Sequence, residues 1–439
     1  MDAIRPGSGR RARAASALLL VLALAGCAPG LRRASAPEEV GLSTPALQAL
    51  SDGLKGCVDK GEIPGAVVLV ARDGRIAWFD AIGYQDREAG TPMAADSIFR
   101  IASMTKPVTS LAVMMLVEEG RLRLDDPLAS VLPQFSGVMV GVETRDAAGT
   151  PQLALEKPHR PITIRDLLRH TSGFTYAWAG KSLVRERYVA ANFYDPDLTA
   201  AQAMSKLSML PLQAHPGTAW EYSLSTDVLA WVVEAVSGMD FERFVAQRIT
   251  GPLRMHDTAF RVEPAKLARV AQPRGRASGG APARAPLGER PNRIQGDTGL
   301  TSTAGDYARF CQFLLNGGAL DGVRLVSRET IDAMRSDQLP AGTRVAQPET
   351  WRDLRPTASN GQGFGLGFMV RTSAGTAGIP GSIGTFWWSG SLGTDFFADP
   401  RERLCVIQMV PLPFGSAKQF QLRASLRELV YQAVRPSRP

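Results

Sequence analysis

"FRIASMTKPVTSLAVMMLVEEGRL", residues 99–122, reads as an apolar helix reached through a short loop. Ser103 stands three residues before Lys106, in a chain with only eight lysines. Residues three apart share a helix face, so an ammonium at 106 can reach a hydroxyl at 103. The run "LAVMMLV" predicts poorly solvated surroundings, where desolvation favours the neutral amine, a group able to take a proton. Backbone N–H groups at the start of such a helix also suit a developing oxyanion. Alone, the S-x-x-K spacing is weak, because eight lysines give about half an occurrence by accident. A capping serine and a solvated lysine would explain it equally well.

Upstream, "ALQALSDGLKGCVDKG" predicts a helix, with order beginning near Thr44. "GAVVLVARDGRIAWFDAIGY" then gives two β-rich runs joined at Asp73-Gly74, a strong hairpin signal. Downstream, the middle of the chain reads as mostly helical. "TIRDLLRH" carries Thr163 and Asp166 at capping-box spacing and is expected to end at Gly173. "STDVLAWVVEAVSG" sets Leu229, Val232, Val233 and Val236 on one face and stops at Gly238. Residues 261–293, crowded with Pro, Gly and Arg, read as a long surface loop, after which "STAGDYARFCQFLLNGG" resumes the helices. Strands return in "GTFWWSG", "GTDFFADP" and "RLCVIQMVPL", followed by the helix "FQLRASLRELVYQAV".

Strands at both ends with helices between predict an α+β fold. One antiparallel sheet is built from both termini and flanked by helices, with a mainly helical lobe inserted. The single domain is expected over residues 44–437, its α/β lobe taking about 44–110 and 300–437 and its helical lobe about 111–299.

The 439 residues, 44% hydrophobic and 21% charged, are ordinary for a globular chain with a buried core. Part of the net charge of +8 comes from Arg5, Arg10, Arg11 and Arg13, and the rest is scattered. Without a basic stripe interleaved with aromatics, no nucleic-acid partner is expected. Residues 1–26 have a basic start and the apolar run "AASALLLVLALA", the pattern of an export signal too short to span a bilayer. Leu24-Ala25-Gly26-Cys27 resembles a bacterial lipobox, which implies cleavage before Cys27 and lipidation of its sulfur. Acyl chains there would hold the protein at the membrane, on the periplasmic side of the envelope, with residues 27–43 as a tether. A soluble secreted protein with an incidental cysteine is the alternative, and the export route is open.

Cys57, Cys311 and Cys405 lack metal-ligand spacing and allow at most one disulfide, so buried free thiols are expected. The histidines at 159, 170, 215 and 256 form no H-x-x-x-H or H-E-x-x-H pattern, and no metal site is expected. His170 in "HTSGF" reads as a helix-end cap.

Five segments carry a resemblance. "FRIASMTKPVTSLAVMMLVEEGRLRLDDPLASVLPQF", "ITIRDLLRHTSGF", "PGTAWEYSLSTDVLAWVVEAVSG", "GDTGLTSTAGDYARF" and "WWSGSLGTDFFADP" follow the order and approximate spacing of the serine β-lactamase-related family. That family includes class C β-lactamases, D-alanyl-D-alanine peptidases and esterases, and the resemblance covers most of residues 45–435. It implies that Ser103 is the acylated nucleophile and Lys106 its proton partner. Tyr222 matches the second catalytic motif, whose phenolic oxygen passes protons between serine, leaving group and water. Trp388-Ser389-Gly390 matches the third motif, on an edge strand beside the nucleophile. The backbone N–H groups of Ser103 and Ser391 would form the oxyanion hole, with neither metal nor organic cofactor. Whether Lys106 or Tyr222 is the first base stays open, because coupled groups share their titration.

Two departures narrow the substrate. The usual Tyr-x-Asn is here Tyr222-Ser223-Leu224, and leucine offers no donor or acceptor to an acyl-side amide. The third motif usually opens with Lys or His, whereas Trp388 is neutral and bulky. Sites built on hydrogen bonds discriminate by roughly 10⁴ against partners lacking them, so losing two polar anchors disfavours β-lactams and costs an uncharged ester little. Both changes resemble the esterase branch. Of the cluster Phe386, Trp387, Trp388, Phe396 and Phe397, about half is expected in the core, with Trp388 lining the site. "FTYAWAGKSLVRERY" is read as a rim over the cleft or a plain connector. The expectation is a serine hydrolase cleaving carboxylic esters through an acyl-enzyme on Ser103. The alternatives are a β-lactamase or D-alanyl-D-alanine carboxypeptidase-type peptidase, and a non-catalytic envelope binding lipoprotein. Its partners would be a small ester or a β-lactam or peptide-like substrate, and the membrane through Cys27.

Overall fold

Asp73 and Gly74 both take positive φ, 55° and 72°, the left-handed pair that a two-residue hairpin turn requires. They join β1 (Gly65–Arg72) to β2 (Arg75–Asp86), as the sequence predicts. The computed structural model describes residues 31–273, 287–347, 354–375 and 378–435; the expected signal sequence and Cys27 lie outside these residues.

The C-terminal part supplies β3 (Gln362–Phe364), β4 (Met369–Arg371), β5 (Phe386–Gly390), β6 (Thr394–Asp399) and β7 (Leu404–Met409). Together they make a nine-stranded sheet in the path β2-β1-β7-β6-β5-β4-β3, completed by two short strands on β2. Every pairing along that path is antiparallel, and the two termini meet where β7 pairs β1, Ile407 opposite Leu69. The sheet is thus built from both termini. Five helices position the rest: α1 (Thr44–Asp59), α2 (Thr105–Glu118), α3 (Ser225–Ser237), α4 (Ala304–Leu315) and α5 (Lys418–Ala433).

Adjacent residues of a strand face opposite sides, so Phe396 and Phe397 report on both faces of β6. Phe396 packs on Tyr307 of α4, and Phe397 stacks on Tyr431 of α5. Helices therefore cover the sheet on both faces, which is why β1, β6 and β7 are buried at every position rather than at alternate ones. Phe386, Trp387, Trp388, Phe396 and Phe397 all belong to that core, where about half of them was expected. Among the described residues no helix is long and apolar enough to cross a membrane.

Four readings need correction. The tether is structured over its described part, residues 31–43: Arg32–Arg33 pairs parallel with Arg75 and Ile76, and Val40 and Leu42 are buried. An open edge of β2 offers backbone groups to any neighbouring chain, and a sequence without periodicity does not reveal that it takes them. The middle of the chain is not only helical, because Val140–Arg145 and Pro151–Glu156 form a hairpin. Most of its side chains are exposed, so it has little apolar alternation to announce it. The helix capped by Thr163 spans only Ile164–Leu168, ending well before Gly173, and His170 turns the chain with φ 58°. The loop read over 261–293 contains a 3-10 helix, Pro264–Arg269; residues 274–286 of it lie outside the described set.

Candidate active site

Ser103 sits in a 3-10 turn, Ala102–Met104, that leads directly into α2. Ala102 has φ 45°, a left-handed conformation that costs a residue with a Cβ and persists only where its surroundings enforce it. Three contacts enforce it: Ile101 N–H donates to Leu300 O (3.1 Å), Thr394 Oγ1 donates to Ile101 O (3.1 Å), and Tyr307 OH donates to Met104 O (2.9 Å). Gly390 completes the arrangement. A Cβ there would lie 2.1 Å from Thr394 Oγ1 and 2.3 Å from Ile101 O, so only glycine lets β5 approach the nucleophile turn so closely.

The third-motif strand is not at the edge of the sheet. β5 lies between β6 and β4, but β4 pairs only Phe386 and Trp387. The Trp388–Gly390 end is therefore unpaired on that side and open toward Ser103. A register that stops short gives an interior strand a local edge, which spacing along a sequence cannot express.

Lys106 is 1% exposed, as its apolar helix predicts. Its Nζ lies 3.3 Å from Ser103 Oγ, donates to Asp297 O at 3.0 Å, and is 3.8 Å from Asp297 Oδ2. The carboxylate was not foreseen. Burial would raise the Asp297 carboxyl, but Lys106 and the Tyr176 hydroxyl outweigh it and hold it below the usual carboxylate range. Asp227, beside it, is pushed well above that range by burial and by the Asp297 charge.

Tyr222 comes from the loop before α3, anchored through Glu221, whose Oε1 accepts from Arg185 Nη2 (2.8 Å) and Thr175 Oγ1 (2.5 Å). Its ring centroid is 4.7 Å from Lys106 Nζ. Trp388, Tyr176 and His170 pack around it, at 5.2, 5.2 and 4.8 Å between centroids. His170 is the expected helix-end residue and also part of this wall. Burial first, and the Lys106 charge second, hold it well below the ordinary histidine range, so it is neutral.

Ser103, Tyr222, Trp388, Ser389 and Ser391 line one cavity of about 330 Å³. Tyr176, Trp178, Tyr194, Leu354, Phe414 and Phe420 complete its walls, so "FTYAWAGKSLVRERY" supplies part of a rim. Gln295, Thr298, Gln419 and Arg423 are the remaining polar groups along it. Two of the expected substrate contacts do not line it. Leu224 is in the hydrophobic core at the start of α3, and Gly390 faces the nucleophile turn. Ser389 does line it, but its hydroxyl is given to Asp395 Oδ1 at 2.5 Å, and Arg423 Nε lies 3.5 Å from that same oxygen.

Sequence reasoning missed Asp227, Asp297, Tyr194, Phe414 and Phe420. Asp227 and Asp297 both lie inside quoted segments, "STDVLAWVVEAVSG" and "GDTGLTSTAGDYARF", and an acid beside the expected buried lysine is the signal that was available. Elsewhere, Glu156, His159 and His215 come together on the surface. Their separation in sequence hid them. The two rings stack at 3.6 Å, nearly parallel, and His215 Nε2 bonds Glu156 at 2.8 Å. Cys57, Cys311 and Cys405 are free thiols, the last two buried, and burial pushes Cys405 up to about 12.

The protein-family model described as Beta-lactamase matches residues 50–427. "Uncharacterized protein MT1414" of Mycobacterium tuberculosis is 36% identical over 366 residues, 80% of this chain and 86% of that protein. "Esterase EstB" of Burkholderia gladioli is 32% identical over 392 residues, 84% and 90%. Among solved structures, "EstCE1, a hydrolase with promiscuous acyltransferase activity" superposes with a TM-score of 0.72 at 28% identity, covering 88% of this chain and 99% of that one.

Proposed function

The chain belongs to the serine β-lactamase family, and from that premise we propose that it hydrolyses carboxylic esters through an acyl-enzyme on Ser103. The observation that carries this reading is Ser103, with Lys106 Nζ at 3.3 Å, facing the same cavity as Tyr222. Ser103 Oγ attacks the ester carbonyl carbon as its proton passes to the Lys106–Tyr222 pair. The oxygen that becomes negative is held by the backbone N–H groups of Ser103 and Ser391, a reading supported by both residues lining the cavity. The same pair returns the proton to the departing alcohol, and water then repeats the sequence on the acyl-enzyme.

The walls favour esters over β-lactams. Trp388 presents an indole where the family usually has a cation, and aromatic rings dominate the remainder, while Leu224, turned into the core, gives the cavity no amide. Comparing turnover of a short-chain p-nitrophenyl ester with a chromogenic cephalosporin tests the assignment, and faster cephalosporin turnover would replace it with the β-lactamase or peptidase reading. A fluorophosphonate probe that leaves Ser103 unlabelled in the folded protein would leave only the binding-lipoprotein reading.

We propose further that the protein is exported and anchored in the envelope by acyl chains on Cys27. The support is the basic start, the short apolar run and the Leu24-Ala25-Gly26-Cys27 ending. Cys27→Ser should release the protein from the membrane fraction; retention there would remove this part of the proposal.

A further inference from the structure

Beneath Lys106 two carboxyl groups are buried against each other, Asp297 fully and Asp227 with 2% exposed. Their surroundings differ in kind. Asp297 is ringed by donors: Tyr176 OH reaches Oδ2 at 2.8 Å, Thr298 Oγ1 reaches Oδ1 at 3.0 Å, and Lys106 Nζ stands 3.8 Å from Oδ2. Asp227 Oδ1 accepts the Asp297 N–H at 3.2 Å, but no donor reaches its buried Oδ2. The Asp297 N–H bond sets the two acids side by side. Two ionised carboxylates buried together repel, so burial favours a proton on one of them. Asp227, the acid with fewer donors, is the one that holds it.

The charges around the pair fix how many protons it holds. Lys106 reaches it from α2, Tyr176 and Tyr194 from the cavity rim, and Tyr222 from the loop before α3. Arg293 is also near, stacked on Phe193 with Nη2 donating to Phe193 O. Neutral His170 adds no charge. Among the described residues, Lys106 is the one cation within ion-pairing distance of either carboxylate. Arg293 also favours the charged form of Asp227 from beyond ion-pairing distance, but burial and the Asp297 charge outweigh it, so one carboxylate is left to face Lys106.

We propose that Asp227 and Asp297 act as a one-proton carboxyl pair, with Asp227 neutral and Asp297 the counter-ion that keeps Lys106 aimed at Ser103. Both are positioning residues, acting through Lys106, and the inference rests on the reading of Ser103 as nucleophile. It also gives Asp227 its reason: a neutral acid donates to Asp297 and stabilises its charge without adding a second one.

The two isosteric variants separate this from simple packing. Asp227→Asn mimics the protonated acid, offering N–H where Asp227 offers O–H, while Asp297→Asn deletes the counter-ion. Asp297→Asn should lower kcat on the order of 100-fold, the scale of a disabled proton-transfer group, with a displaced kcat pH profile and a smaller effect on KM. Asp227→Asn should lose at least about tenfold less than that. Melting gives an activity-free readout. Unfolded Asp227 is ionised above the usual carboxylate range and the native form is protonated, so folding takes up a proton and stability falls as pH rises. Asp227→Asn should therefore melt above wild type at about pH 8, with the gap closing toward about pH 4. Equal kcat losses in the two variants, or a melting gap that ignores pH, would overturn the pair. Should Asp297→Asn not fold, the Asp227→Asn melting series decides alone. Fluorophosphonate labelling of wild-type Ser103 reports separately on the nucleophile, so a failure there is distinguishable from a failure of the pair.

Discussion

A single missing methyl group sets the site. Gly390 lets β5 lie against Ile101, and so places Trp388 and Ser391 around Ser103. Gly390→Ala should force the strand away from Ile101 O and cost about 1–3 kcal/mol, the usual penalty for overpacking. Urea unfolding would measure the loss, and fluorophosphonate labelling of the folded variant should slow. Unchanged labelling would mean that the approach of β5 does not matter to the nucleophile. Ser103, Lys106 and Tyr222 were legible through the resemblance of their motifs to the family, since the S-x-x-K spacing alone is weak and Tyr222 by itself carried no signal. Asp297 was not, since its contact with Lys106 spans 191 positions of sequence.

Elements were legible where local interactions decide them. Asp73-Gly74 forms its hairpin because the turn itself demands two left-handed residues. Thr163 and Asp166 form their capping box because the helix start leaves N–H groups to satisfy. That short helix feeds Asp166 into Arg160, Arg169 and Thr171, so it depends on its cap more than a long helix would. Thr163→Ala should cost about 0.5–2 kcal/mol, seen as a lower denaturant midpoint with an unchanged slope. A midpoint equal to wild type would show that the Asp166 network holds the helix without its cap. The exposed hairpin over 140–156 and the docked strand at Arg32–Arg33 were illegible for a shared reason. Neither buries an apolar face whose period could be read, and one of them exists only because β2 has an open edge.

Across the whole molecule, buried carboxyls pull stability in two directions. Burial would raise Asp166, but its bonds to Arg160 and Thr171 hold it below the usual range. Its contribution is present above the unfolded value of 3.8 and is lost as pH falls through the lowered native one. Asp306, pushed up to about 6 chiefly by burial, has the opposite sign: its contribution is complete below 3.8 and is lost as pH rises through about 6. Asp306→Asn keeps an acceptor for the Asp257 N–H, and should melt above wild type at about pH 7 while losing that advantage at about pH 4. A melting difference of the same size at both would contradict the assignment.

The sequence by itself determined the sheet built from both ends and the helical segments between, because periodicity and turn chemistry act over a few positions; it also carried the motifs whose resemblance to the family singled out Ser103, Lys106 and Tyr222. Tertiary structure alone decided which groups meet: Asp297 and Asp227 under Lys106, an interior strand with a local edge, and Phe414 and Phe420 in the cavity wall with Leu224 left in the core. Burial and charge pairing depend on distance in space, and a linear chain carries that distance only once it has folded.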